Sequence, residues 1–382
     1  MKILYVTQMY PSAELPQYCA FLHNQVKAMQ SCGAEISVVV PNADRPAEHV
    51  IYDDVDVFYL PYRDYSRTAL APLVYRRLKK ELRRFLNAKD FDIVYAIHAP
   101  VNVLYFAMKL AKKNGLPFIV HYRGYNIFTE FEGNQKAFLS NPEKVMEKIV
   151  QKSDLSLAVS KRTAAVITDR FPNLPVEVVY NGVNQEIFDA QAKAPPHEGI
   201  RILCVANLIP IKGHKYLFDA FKQLAGQYPQ KGLRLDIVGR GSSEQELKDY
   251  VESRRIPNVV FHGYIPHEGV SEMMRSTDIF VLPSVYEAFA NVCLEAMACK
   301  KPIVIFSGQG TDEIIRDGVS GMIAERANGA QLKEKIELLI NDPEKRAEIA
   351  ENGYRIVREF TWKKSGERLV KIIEGVIRKY AD

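Results

Sequence analysis

The chain has 382 residues, 47% hydrophobic and 25% charged, with a formal net charge of +5. At ~100–200 residues per domain this length calls for two or three domains, and so mild a positive charge does not indicate nucleic-acid binding as the main task. No apolar run approaches the ~20 residues that span a bilayer, and the opening MKILYVT reads as a strand, not as a signal peptide.

In chain order, residues 3–6 (ILYV) predict a buried strand, residues 20–31 an amphipathic helix closed by Gly33, and residues 36–40 (ISVVV) a second strand. Strand, loop, helix, strand is the unit of a parallel sheet. Residues 55–60, 92–97 (DIVYAI), 117–120 (PFIV), 155–159 and 176–179 extend it, with a helix over 101–113. The stretch 191–199, QAKAPPHEG, is the linker candidate. The alternation then restarts with strands at 202–206 (ILCVA), 233–238 (LRLDIV), 259–261, 279–282 and 302–305, and the chain is mainly helical from 331 to 380. Two such runs imply an α/β protein of two doubly wound domains facing each other, with ligand bound in the cleft at the carboxyl ends of the strands. None of the five cysteines (Cys19, Cys32, Cys204, Cys293, Cys299) forms a CxxC pair, which points to reduced thiols, a cytosolic location and no structural zinc.

One helix stands apart. Residues 74–86, VYRRLKKELRRFL, place Val74, Leu78, Leu82 and Phe85 on one face and Arg76, Arg77, Lys79, Lys80, Arg83 and Arg84 on the other. Such a helix can lie on the anionic inner face of a cell membrane. The same pattern also describes an ordinary outer helix whose apolar side packs on its own sheet.

The stretch with the plainest chemistry is 283–302, PSVYEAFANVCLEAMACKKP. Glu287 is expected in the loop leaving a buried strand, and Glu295 about two turns into the next helix. Between them the amides of Phe289, Ala290, Asn291 and Val292 form a helix N-terminus, where a phosphate binds readily. Two acceptors flanking an anion site suit a ligand with both hydroxyls and phosphates, such as a nucleotide sugar. Spacing alone fits ordinary surface glutamates equally well. Lys212, in ANLIPIKG, is placed to neutralise a diphosphate, although a turn lysine has the same context. Gly239-Arg240-Gly241 offers G-x-G without the third glycine of a dinucleotide fingerprint, yet its glycines would let a base or ribose approach the backbone. His98 ends DIVYAI and Arg123 lies in HYRGYN after PFIV; together they make a polar rim for an acceptor. Residues 308–313, GQGTDE, are a further loop-to-helix transition whose glycines permit close anion approach. The chain has no Walker motif, G-x-S-x-G or H-E-x-x-H, so no metal is suggested.

These residues resemble the retaining family 4 glycosyltransferases of GT-B fold, of the bacterial polysaccharide-building type. E-x7-E in EAFANVCLE, preceded by LPS, carries the likeness, and KILYVTQMYPS, VVYNGVNQEIF, VANLIPIKGHKYLFDAF, DIVGRGSSEQELK and EFTWKKSGERLVKII fall in the family's order over nearly the whole chain. The resemblance implies an acceptor-binding Rossmann-like domain over 1–190, a nucleotide-sugar-binding domain over 199–361, and a last helix, about 362–382, crossing back to the first. It implies that Lys212 binds the donor diphosphate, Glu287 the sugar hydroxyls and Glu295 the ribose. The amides of 289–292 then contact phosphate, and Gly239 with Tyr264 and Ile265 pack the base. Several positions depart from the pattern, among them the loop over 11–19, which lacks the paired glycines many members have. Asn207 stands where many members have arginine, with Arg240 a substitute cation; Lys300 stands where glycine is usual; and Asn126 replaces an aspartate. The activity implied is hexose transfer from a nucleotide diphosphate sugar to a glycan or lipid-linked hydroxyl, with no metal or other cofactor. Competing readings are an epimerase or phosphorylase on the same fold, or a catalytically silent binding protein.

Overall fold

Runs of β-branched and aromatic residues separated by amphipathic stretches build two sheets, each with its own core. The structure is a computed structural model that describes all residues except 15–18, 43–46, 62–70, 89, 125–126, 128–141, 191–195 and 382. It divides into a first unit, Met1–Asn181 with Trp362–Asp382, and a second, Gly182–Thr361. The second unit therefore begins ahead of the 191–199 stretch, of which only 196–199 are described.

The first unit runs β1 (Lys2–Val6), α1 (Ala20–Ser31), β2 (Glu35–Asn42), β3 (Glu48–Tyr52), β4 (Val55–Pro61), α2 (Ala71–Ala88), β5 (Ile93–Ile97), α3 (Val101–Lys113), β6 (Phe118–Tyr122), α4 (Pro142–Lys152), β7 (Leu155–Ala158), α5 (Lys161–Thr168) and β8 (Val176–Val178). Its strand order is β3-β4-β2-β1-β5-β6-β7-β8. The β3–β4 pair is antiparallel, and the other pairs are parallel. Sequence periodicity misses β3 because most of its side chains are exposed, so no buried alternation marks it. The order reverses between β1 and β5. The loops after those strands meet there, and the Gln8 amide donates to the His98 carbonyl at 3.3 Å.

The second unit runs β9 (Arg201–Val205), α6 (His214–Gln227), β10 (Arg234–Val238), α7 (Glu244–Ser253), β11 (Val259–Gly263), α8 (His267–Arg275), β12 (Ile279–Leu282), α9 (Asn291–Ala298), β13 (Ile303–Phe306), β14 (Met322–Ala324), α10 (Gly329–Asn341) and α11 (Pro343–Val357). All six strands are parallel in the order β11-β10-β9-β12-β13-β14, which reverses between β9 and β12. Strand β14 is too short, at three residues, for periodicity to reveal. Ile202, Leu235, Ile279 and Val304 of the sheet pack against Leu217, Phe221, Leu332 and Ile336 of α6 and α10. Burial of each contributes roughly 1.5–3 kcal/mol.

The last helix, α12 (Trp362–Ala381), belongs to the first unit. Its Leu369, Val370 and Ile373 join Leu22, Val26 and Met29 of α1 in the core on one face of the first sheet. At the crossing, a β-carbon on Gly366 would stand 2.7 Å from the backbone of Ala28, so only glycine lets the helices touch. The expected return of the C-terminal helix is what the structure has.

On the basic helix α2, Leu78, Leu82 and Leu86 are buried, and Phe85 stacks among Phe58 and Phe91. Its apolar face is thus spent inside the unit, while Arg76, Lys79, Lys80, Arg83 and Arg84 are exposed. The side chains of Val74 and Arg77 lie outside the described residues. Among the described residues, no helix is long and apolar enough to cross a membrane.

Candidate functional site

The point where the second sheet's order reverses gathers the two most specific motifs. After β9 the chain makes a 3-10 turn, Pro210–Lys212, which Gly213 closes in the left-handed conformation (φ 67°). A β-carbon there would lie 2.1 Å from the Pro283 carbonyl oxygen, so the turn docks on the end of β12 only because residue 213 is glycine. The Val285 amide donates to the Ile211 carbonyl at 2.9 Å, fastening the two loops together. This brings the Lys212 ammonium onto the Glu287 carboxylate, and the two form a hydrogen-bonded ion pair. Their side chains are 17% and 19% exposed, sheltered enough that each matters to the other and open enough to be reached by a ligand.

A third loop, residues 308–313, holds Glu287 in place. Gln309, fully buried, donates from Nε2 to the Ser284 carbonyl at 2.6 Å, and the Gly310 amide donates to the Glu287 carbonyl at 3.0 Å. The Ala290 amide donates to Thr311 Oγ1 at 2.9 Å. GQGTDE was expected as an anion-approach loop; it is a 3-10 turn, Gly310–Glu313, that braces the Glu287 loop, and it occupies one of the amides expected to meet phosphate. Adjacency of β12 and β13 brings these segments together. The only sequence signal is the pair of polar residues, Gln309 and Thr311, just beyond a buried strand.

Ala290 is the N-cap of α9, with Phe289 buried just before it and Asn291 and Val292 half-buried in the first turn. Glu295 sits on the second turn. It is half-buried by surface area, yet its carboxyl is deep enough that desolvation pushes its pKa up to about 7. Cys293, fully buried, is pushed up by burial first and then by Glu287 and Glu295, which leaves an inert thiol. His214, opening α6, is buried with neither ring nitrogen partnered among the described residues. Burial, then the Lys212 charge, takes its pKa down to about 4, so the imidazole is neutral.

The glycines around Arg240 prove to have another use. A β-carbon on Gly239 would meet the Ala206 carbonyl oxygen at 2.0 Å, and one on Gly241 the Leu208 carbonyl oxygen at 2.3 Å. The close approach both glycines permit within the unit is to the chain's own β9 loop. Helix α7 starts only at Glu244, so this motif does not itself open a helix. Asn207 is exposed at the end of β9, Arg240 lies beside Gly263, and Tyr264 is exposed while Ile265 packs against Gly269 of α8.

In the first unit, His98 follows β5 with φ 45° and Arg123 follows β6. Both line a cavity of about 300 Å³ with Pro100, Val101, His121 and Ile127. The Arg123 guanidinium lies 4.3 Å over the Phe21 ring, and the His98 ring meets Phe21 edge-on. Burial brings Arg123 down to about 10. His98 is exposed over much of its surface, yet burial of its ring, followed by the Arg123 charge, lowers its pKa. Asn126 lies outside the described residues.

The profile of Glycosyltransferase Family 4 matches residues 20–187, and that of Glycosyl transferases group 1 matches residues 184–356. An uncharacterized glycosyltransferase of Methanocaldococcus jannaschii is 32% identical over 222 residues, 58% of this chain and 60% of its own length. A second from that organism is 25% identical over 361 residues, 90% of each chain. The solved structure of Anabaena HepE in complex with UDP superposes with a TM-score of 0.73 over 98% of this chain and 100% of its own, at 20% identity. With one family profile on each half, in the expected order, and two parallel-sheet units beneath them, the chain belongs to the family 4 glycosyltransferases of GT-B fold.

Proposed function

We propose that the chain moves a hexose from a nucleotide diphosphate sugar to a hydroxyl of a glycan or lipid-linked acceptor, with retention of configuration and without a metal ion, in building a cell-surface polysaccharide. The observation that carries this reading is the Lys212–Glu287 pair, clamped by Gly213 and Gln309 where the second sheet's order reverses. In the reaction the bond from the anomeric carbon to the phosphate oxygen breaks and the acceptor oxygen attaches on the same face. The acceptor's proton passes to the departing phosphate. Negative charge grows on the diphosphate, so fixed cations and dipoles aimed there supply much of the acceleration. Lys212 and the N-terminus of α9 take that part. Glu287 accepts from the sugar hydroxyls and Glu295 from the ribose, while Gly239, Arg240, Tyr264 and Ile265 stand by the base. His98 and Arg123 serve the acceptor. HepE, solved with UDP and with UDP-glucose, supports a uridine donor as the first to test.

The test is nucleotide release from a panel of donor sugars with mixed glycan and lipid acceptors. Lys212→Ala is expected to lower turnover ~10²-fold or more; wild-type turnover in that variant removes the role. If no donor is turned over and none shifts the melting temperature, the chain is a silent binding protein. Turnover without transfer to an acceptor favours an epimerase or phosphorylase.

A second reading concerns location. With its apolar face buried in the unit, α2 does not lie in a bilayer as a free amphipathic helix does, but its five exposed cations suit adhesion to an anionic cytosolic surface at ~1 kcal/mol each. Changing Arg76, Lys79, Lys80 and Arg83 to Gln is expected to release the protein from phosphatidylserine vesicles in a flotation assay. Unchanged flotation refutes the adhesion.

A further inference from the structure

The cavity of the first unit holds more cationic and donor character than a rim for neutral hydroxyls requires. Arg123 Nη1 is buried and has no hydrogen-bond partner among the described residues, and no described carboxylate lines the cavity to balance its charge. His121, 1% exposed, gives one ring nitrogen to the Tyr95 hydroxyl at 2.6 Å. Its Nε2 is left without a partner, on a residue that lines the same space. Pro100 and Val101, the N-cap and first residue of α3, form another wall; Pro100 supplies no side-chain cap, while Asn102 Oδ1 accepts from the Val103 amide at 2.8 Å. A helix N-terminus carries partial positive charge. Buried polar groups ordinarily find partners, so two orphaned nitrogens on one cavity are what a ligand is expected to satisfy.

We propose that this cavity binds an anionic substituent of the acceptor, a phosphate or a carboxylate, between Arg123, His121 and the start of α3. Arg123 supplies the charge and a planar fork that matches two oxygens. His121 gives a further hydrogen bond, as donor in the tautomer that protonates Nε2, while Tyr95 donates to Nδ1. His98 stands at the mouth. The acceptor is then an anionic sugar or alcohol, not a neutral glycan end. This rests on the glycosyl-transfer reading for calling the ligand an acceptor, whereas the binding itself requires no turnover.

The test uses the full chain with ¹⁵N-labelled histidine and follows the His98 and His121 ring signals, assigned with His98→Gln and His121→Gln variants. Inorganic phosphate, methyl phosphate and acetate are titrated at constant ionic strength, with glycerol as the neutral control. The expected result is a saturable shift with the anions and none with glycerol, weakened at least about tenfold in Arg123→Gln. The tighter of methyl phosphate and acetate names the substituent. Should Arg123→Gln fail to fold, the wild-type contrast between anions and glycerol decides alone. Absence of an anion-specific shift, or an undiminished one in a folded Arg123→Gln, overturns the site. Displacement of phosphate by UDP at these signals also overturns it, since the anion would then be the donor's. Transfer to neutral acceptors with no anion binding here would sink this inference and leave the enzyme reading standing.

Discussion

Glu295 lies on the second turn of α9, where desolvation favours the protonated carboxyl up to about pH 7. Its usual value is 4.5, so the folded state holds the extra proton between the two values. By linkage, this group's contribution to stability declines as pH rises from 4.5 through about 7. A ribose hydroxyl donates best to the ionised form, so with Glu295 in the proposed role, binding a nucleotide expels the proton. The affinity for UDP is expected to fall up to about tenfold per pH unit below about 7 and to level off above it. Titration calorimetry in two buffers of different ionisation enthalpy measures the released proton directly. Glu295→Gln should abolish that release, and a release that persists in the variant assigns it elsewhere. Lys212 and Glu287 differ from Glu295 in having found each other. The donor must therefore part this ion pair, or slip its phosphate and hydroxyls around it.

At the scale of elements, the site depends on how loops end. Gly213→Ala would add a β-carbon 2.1 Å from the Pro283 carbonyl at a position with φ 67°, so the Lys212 turn must lift away. Turnover is expected to fall as steeply as in Lys212→Ala, with a loss of about 1–3 kcal/mol in chemical denaturation. Full activity in Gly213→Ala would show that the clamp is dispensable. The C-terminal end of α9 offers the opposite test. Lys300 occupies the left-handed position (φ 57°) that usually calls for glycine, and its ammonium pairs with Glu351 at 2.6 Å. The backbone cost there is about 1 kcal/mol, more than an exposed pair returns. Lys300→Gly should raise the melting temperature by roughly 2–4 °C; a lower value would mean that the ion pair outweighs the backbone. Much of this was legible in the residues. The buried run ending at Pro283 announces a strand end, and Ala, Leu and Met around Glu295 announce a helix. The brace from Gln309 and Thr311 was not, because its partners lie 25 and 21 positions away and meet only through the order of the strands. Nor was the use of Gly239 and Gly241, since a close approach to one's own backbone and to a ligand call for the same residue.

At the scale of the whole molecule, the first unit is assembled from two separated stretches of chain, and the second from one continuous stretch. The joint between the parts of the first unit is the α1–α12 crossing at Gly366 and Ala28. Gly366→Val would force the helices apart against the backbone of Ala28. The expected loss is about 1–3 kcal/mol in the first unit alone, seen in calorimetry as an early transition separating from that of the second unit. A single unchanged transition would show that α12 is not needed to hold the first core together.

That same helix sets an order of events during synthesis. Residues 182–361 leave the ribosome as one uninterrupted span and can close their sheet without waiting. The first unit, though begun earlier, leaves the α12-facing side of Leu22, Val26 and Met29 in α1 uncovered until Leu369, Val370 and Ile373 have been added. At ~5–20 residues per second, that side stays open for tens of seconds. The part of the chain born first is thus the last to finish folding, and it is the part for which a holding chaperone matters.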